Sequence, residues 1–74
     1  MASRHTHQGT VLSFDDLAGL GTVVDVHGNK IDFHCTAILD GTRSIVPGTE
    51  VTFLLRQGTL GRLEAVQISP QYSN

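Results

Sequence analysis

Aromatic residues are scarce in this 74-residue chain, which has no tryptophan, three phenylalanines and one tyrosine. Its single cysteine, Cys35, excludes an intramolecular disulfide framework, so we expect a reducing, cytoplasmic environment. No apolar run approaches the roughly 20 residues that span a bilayer. Residues 1–8 also lack the apolar core of a signal peptide. The sequence therefore predicts a soluble cytoplasmic protein that does not contact a membrane.

The chain also lacks a strong excess of either charge, with a formal net charge of −2. This balance argues against strong non-specific attraction to nucleic acid or to anionic membranes. The charge is uneven, because residues 1–40 contain five of the seven acidic residues. We therefore expect the first half of the chain to be more acidic than the second.

Alternation of apolar and polar residues is the main structural signal in the chain. It predicts five short strands, at residues 10–14, 20–26, 30–35, 50–56 and 62–68. Gly28 and Asn29 favour a tight turn between the second and third strands, and residues 36–39 could form one short helical turn. We expect one small domain at residues 9–69, between a flexible arm of residues 1–8 and a tail of residues 70–74.

The predicted fold class is all-β, a small closed five-stranded antiparallel barrel. An open sheet of this size would leave two free edges and one apolar face in contact with water. Closure into a barrel removes the free edges and buries that face. Six apolar residues at alternating strand positions are expected to be buried: Val11, Val23, Ile31, Phe33, Val51 and Phe53.

The order and spacing of several stretches resemble the cold-shock domain family. These stretches are Gly9-Thr10-Val11, AGLGTV at residues 18–23, IDFHCTAI at 31–38, PGTEVTF at 47–53 and QGTLG at 57–61. No single motif is specific, but together they cover roughly residues 9–68. The resemblance implies an OB-fold barrel that binds single-stranded RNA or DNA.

Members of that family stack bases on aromatic side chains of the first three strands, with lysines beside them. Here most of the matching positions hold aliphatic, small or acidic residues, whereas the family histidine is kept as His34. The resemblance implies a nucleic-acid or partner-binding face of Leu12, Ser13, Phe14, Leu20, Thr22, Asp32, His34, Cys35, Thr42 and Arg43. Each base–aromatic stack contributes about 1–3 kcal/mol, so a face that lacks most of these aromatics should bind single-stranded nucleic acid weakly and with little sequence preference. The resemblance implies a role in transcription or translation.

Several of these residues allow two interpretations. His34 could contact a base or could be a half-exposed strand histidine without a partner. Cys35 could be a reactive thiol, but a small half-buried replacement for an aromatic is favoured, since the sequence places no cation nearby that would activate the thiol. Arg43, Arg56 and Arg62 could form a phosphate-binding edge or could be scattered surface charge.

The alternative function is a protein-interaction module on a barrel that has lost nucleic-acid binding. Leu12, Leu17 and Leu20 would form an aliphatic patch beside acidic residues, which suits a protein partner. We expect a monomer or weak homodimer with no metal and no cofactor. An enzyme is not predicted, because nothing supplies an oxyanion hole or substrate pocket.

Overall fold

A computed structural model of the chain describes residues 6–58 and 61–71. Its five strands are β1 (His7–Asp15), β2 (Leu20–Asp25), β3 (Lys30–His34), β4 (Glu50–Gln57) and β5 (Leu63–Pro70). A one-turn 3₁₀ helix, Cys35–Ala37, follows β3, where a short helical turn was predicted. The strands close into a barrel in the order β1-β2-β3-β5-β4, so the predicted closed five-stranded barrel is confirmed.

One pair of neighbouring strands is parallel, and on this point the prediction of a wholly antiparallel barrel is wrong. β3 and β5 run in the same direction, with Asp32 opposite Glu64. The other four neighbouring pairs are antiparallel. The reason is topological, because a closed ring with an odd number of strands cannot alternate direction at every contact.

The predicted boundaries of the barrel are too narrow at both ends. His7 and Gln8 were expected in the flexible arm but belong to β1, opposite Phe53 and Thr52 of β4. The His7 ring also stacks on Phe53, with centroids 5.8 Å apart. Pro70 was expected in the tail but ends β5, opposite Val51. The remaining parts of the predicted arm and tail, residues 1–5 and 72–74, lie outside the described residues.

The barrel interior contains all six apolar residues predicted from the alternation. Four further residues are buried with them: Ile38, Ile45, Ala65 and Ile68. Ile38 and Ile45 come from the connection between β3 and β4, so this connection adds apolar side chains to the core. In the described part of the chain, no helix is long and apolar enough to cross a membrane.

Two β-bulges interrupt the alternation. In β1, Val11 lies opposite Val23 and Ser13 opposite Thr22, so Leu12 has no residue opposite it. In β5, two residues, Gln67 and Ile68, occupy the space opposite Phe53 of β4, and Gln67 has a φ of 51°. The second bulge explains why Ala65 and Ile68, three residues apart, are both buried.

Candidate nucleic-acid or partner-binding face

Two rows of side chains cross the exposed outer side of β1, β2 and β3. Strand pairing places Ser13, Thr22 and Asp32 in one row and Asp15, Leu20 and His34 in the other. These six residues are called the front face below. All are exposed except Thr22, which is half-buried. Five of the ten predicted site residues therefore share one surface, and Asp15 joins them.

A shallow groove of about 350 Å³ runs along the front face. Its walls include Ser13, Leu20 and Asp32, and Phe14 contributes its exposed part. The bulk of Phe14 turns inward and stacks on Phe33, with centroids 5.8 Å apart and ring planes 17° apart. Gly21 lies between these rings in the register, and a Cβ there would come within 2.5 Å of the Phe33 ring. A glycine at position 21 is therefore required for the groove floor.

His34 is fixed at the end of β3 by the turn that follows. The backbone N–H of Thr36 donates to Nδ1 of His34 at 3.2 Å, and the Thr36 hydroxyl lies 2.9 Å from the same nitrogen. Because Nδ1 accepts a backbone hydrogen bond, the neutral ring carries its proton on Nε2. The front face thus presents an oriented imidazole with a donor at Nε2.

Asp32 divides its carboxylate between two partners. Oδ1 accepts a hydrogen bond from the Thr22 hydroxyl at 3.2 Å, and Oδ2 lies 3.3 Å from a guanidinium nitrogen of Arg62. The side chains of Asp32 and Arg62 are 64% and 77% exposed. Exposed ion pairs of this kind contribute little stability and are easily rearranged. Arg62 therefore offsets the charge of Asp32 without removing it from the face.

Thr42 and Arg43 lie in the connection between β3 and β4 rather than on the strands. The hydroxyl and backbone N–H of Thr42 hydrogen-bond to Asp40, and in that order they hold the pKa of this carboxyl below its ordinary value. The Ser44 hydroxyl donates to Asp16 at 2.7 Å, which ties this connection to the β1–β2 loop. Thr42 thus has a structural role in the loop, and Arg43 is exposed beside it.

Leu12 and Cys35 differ in their surroundings. Leu12 is 48% exposed because the β1 bulge leaves it without a cross-strand neighbour. Cys35 is half-buried and packs against the core, and a Cβ on Gly19 would lie 3.0 Å from its Sγ. Cys35 is thus half-buried, and its interpretation as a replacement for an aromatic stays a prediction.

Sequence reasoning missed two contributors to the face. Thr36 orients His34, and a histidine two residues before a threonine at a strand end is a weak signal for such a cap. Asp15 reaches the outer row only because the β1 bulge shifts the alternation by one residue. Within residues 6–58 and 61–71, no three His, Cys, Asp or Glu side chains form a group that could hold a metal ion.

No protein-family model matches the chain, and no curated protein matches it. Among solved structures, 46 chains match. One of them, described as Drosophila Unr CSD456, has a TM-score of 0.81 and 32% sequence identity over 97% of this chain. The match covers 29% of that solved chain, so the present chain spans less than a third of its length. With the closed barrel, this likeness confirms the predicted resemblance to the cold-shock domain family.

Proposed function

We propose that this domain binds single-stranded RNA or DNA weakly, with little sequence preference, through the front face. The observation that carries the proposal is the fixed imidazole of His34, whose Nε2–H is oriented by the two contacts from Thr36. Single-stranded nucleic acids expose the flat faces and polar edges of their bases, which an oriented ring can stack on or donate to. The likeness to a cold-shock domain structure supports this choice of ligand.

The neighbours of His34 support contact with a base rather than with phosphate. Leu20 lies directly opposite His34 and is 52% exposed, so it offers an apolar surface beside the ring. Asp15 lies in the same row as this pair and Asp32 in the neighbouring row, and both carboxylates repel phosphate. Among the six residues of the front face only His34 has an aromatic ring, so most of the stacking contributions of about 1–3 kcal/mol per base are missing. We therefore expect a dissociation constant that is roughly micromolar or weaker at physiological salt.

The test is a titration of labelled oligo-U and oligo-T with the wild-type chain, His34→Ala and His27→Ala. His27 is a matched control, because it is an exposed histidine in the turn at the other end of β2. We expect His34→Ala to weaken binding by about fivefold or more and His27→Ala to leave it unchanged. Nanomolar binding by the wild-type chain, or equal losses in the two variants, would contradict the proposal. Unfolding curves of both variants show whether loss of the His34 cap has altered the fold.

A second candidate function is a protein-interaction module on the same barrel. Leu12, Leu17 and Leu20 are 48%, 101% and 52% exposed, and Asp15 and Asp16 lie between them in the sequence. An aliphatic patch with an acidic rim suits a partner with an apolar centre and basic edges. A pull-down with the wild-type chain and a Leu17→Ser variant tests this candidate. Specific capture that Leu17→Ser abolishes would support it, and equal capture by both chains would argue against it.

The setting of the proposed activity rests on the family resemblance and on the composition. We propose a cytoplasmic binding protein, acting as a monomer or weak homodimer in transcription or translation. Binding rather than catalysis is proposed because the front face is shallow and its carboxylates are exposed.

A further inference from the structure

A second groove, of about 650 Å³, lies on the outside of the barrel beside β3 and the start of β5. Lys30 and Arg62 line it together with the apolar side chains of Leu55 and Leu63. We call it the side groove. Asp32 lines both the side groove and the groove on the front face. The two grooves therefore meet at Asp32, at the point where its carboxylate bridges Thr22 on one side and Arg62 on the other.

The charges of the side groove are balanced in the free protein. Lys30 and Arg62 supply two positive charges, and Asp25 and Asp32 supply two negative ones. Asp25 is engaged in its own turn, since its carboxylate accepts hydrogen bonds from the backbone N–H groups of His27 and Asn29. Asp32 is the carboxylate that engages a cation of the groove. Its Oδ2 occupies a position against Arg62 that a phosphate oxygen could take.

We propose that Arg62 is a phosphate-binding residue of this domain and that Asp32 competes with the ligand for it. A single strand that crosses the front face would continue past Asp32 into the side groove, where a backbone phosphate displaces the carboxylate from the guanidinium. The planar guanidinium suits this exchange, because carboxylate and phosphate present similar oxygen pairs to it. The ion pair is exposed on both sides, so no buried charge is created when it opens. This inference rests on the proposed function of the front face.

The experiment is a double-mutant cycle in which oligo-U binding is measured for the wild-type chain, Asp32→Asn, Arg62→Gln and the double variant. Asn keeps the shape of Asp32 and can still accept the Thr22 hydrogen bond, but it releases Arg62. We expect Asp32→Asn to tighten binding by about threefold to fivefold, which is the range for opening an exposed ion pair. Arg62→Gln alone should change affinity by less than about twofold, because the phosphate contact that it removes is offset by the ion pair with Asp32 that no longer has to open. The double variant should lose the gain.

Two further variants and a series of salt concentrations serve as controls for the double-mutant cycle. Arg56→Gln is the matched control, since Arg56 pairs with Glu64 and not with Asp32. The gain from Asp32→Asn should persist in that background. Arg62→Lys keeps the positive charge and should retain part of the gain. The slope of log affinity against log salt should become steeper by up to about 0.7 in Asp32→Asn, because Asp32 no longer competes for Arg62 in any of the bound complexes.

An equal gain from Asp32→Asn with and without Arg62 would overturn the inference, because it would reflect only the removal of a repelling charge. If wild-type binding depends on His34 but shows no coupling between Asp32 and Arg62, the inference fails and the proposed function stands. If no variant binds oligo-U, both are overturned. Unfolding curves of the four chains confirm that each variant is folded at the temperature of the titration.

Discussion

His34 caps the one-turn helix that follows β3, with the backbone N–H of Thr36 donating to its Nδ1 at 3.2 Å. The Thr36 hydroxyl lies 2.9 Å from the same nitrogen. A histidine side chain that closes its own turn has little freedom to rotate. The residue that the cold-shock resemblance identifies as a base contact is therefore also one whose ring orientation is fixed by the turn that follows it.

Thr36→Val tests whether this orientation matters for binding. The substitution keeps the backbone N–H contact and the side-chain shape but removes the hydroxyl. We expect oligo-U binding to weaken by about twofold to fivefold, because the ring is held by one contact instead of two. Thr42→Val is the control, since the Thr42 hydroxyl contacts Asp40 in the loop and not His34. Equal affinities of Thr36→Val and the wild-type chain would show that the hydroxyl does not position the ring.

Asp32→Phe separates the two candidate functions of the front face. The substitution removes a charge that repels phosphate and adds one stacking surface, so it should tighten oligo-U binding by about fivefold to a hundredfold. Stability should change little, because an exposed strand position accepts an aromatic side chain. If the face binds a protein, the same variant should weaken that complex instead. Absence of any gain on oligo-U would count against nucleic-acid binding, and comparison with Asp32→Asn separates the charge from the stacking surface.

Gly21→Ala tests the packing beneath the front face. A Cβ at this position would lie 2.5 Å from the Phe33 ring and 2.8 Å from the carbonyl oxygen of Ser13. Because neither the core ring nor the backbone can move freely, we expect the free energy of unfolding to fall by about 1–3 kcal/mol. Urea unfolding measures this change. Ser13 is an exposed residue of the neighbouring strand β1. The free energy of unfolding of Ser13→Ala should stay within about 0.5 kcal/mol of the wild-type value. Equal stabilities of Gly21→Ala and the wild-type chain would refute the described packing of Phe33.

Asp25 provides a prediction about acid stability. The backbone N–H of Asn29 is the main cause that holds the pKa of this carboxyl below its ordinary value of 3.8, followed by the Asn29 amide and the N–H of His27, against an opposing effect of desolvation. Because the pKa is lower in the folded state, the stabilisation is fully present above the unfolded pKa and is lost as the pH falls through the folded one.

Asp25→Asn should therefore lower the melting temperature above about pH 5 and show a smaller further decrease between about pH 5 and pH 2 than the wild-type chain. Thermal unfolding followed by circular dichroism across this range measures both effects. Glu50→Gln is the control, because it removes a carboxylate outside the Asp25 turn. A wild-type curve and an Asp25→Asn curve that run parallel would contradict the predicted contribution of Asp25.

The sequence predicts the barrel interior better than its ends. Val23, Ile31 and Phe33 alternate with polar residues, and this period of two places them in the core as expected. Ile38 and Ile45 are buried from an irregular connection, where no periodicity marks the inward direction. The sequence places His7 and Gln8 in the arm, because two polar residues show no alternation typical of a strand. In the structure they belong to β1, because their backbones pair with β4.

The bulges and the long-range contacts explain what else could not be predicted. Leu12 and Gln67 interrupt the alternation of inward and outward residues. The position of each bulge is determined by backbone pairing with the neighbouring strand and not by the residue's own side chain. The pairing of Asp32 with Arg62 joins residues 30 positions apart and depends on the parallel contact of β3 with β5. Five of the six residues of the front face could therefore be predicted from the family resemblance, whereas Asp15 and the partner of Asp32 could not.

The most direct test of nucleic-acid binding by the front face is an NMR titration of the ¹⁵N-labelled wild-type chain with a short oligo-U at physiological salt. We expect saturable shifts of the amide signals of Leu20, Thr22, Asp32 and His34, with a dissociation constant that is roughly micromolar or weaker. Val26 and Gln71 line a groove outside the front face, so their amide signals should not shift. Shifts that centre on Val26 and Gln71, or no shifts at millimolar oligo-U, would contradict binding at the front face.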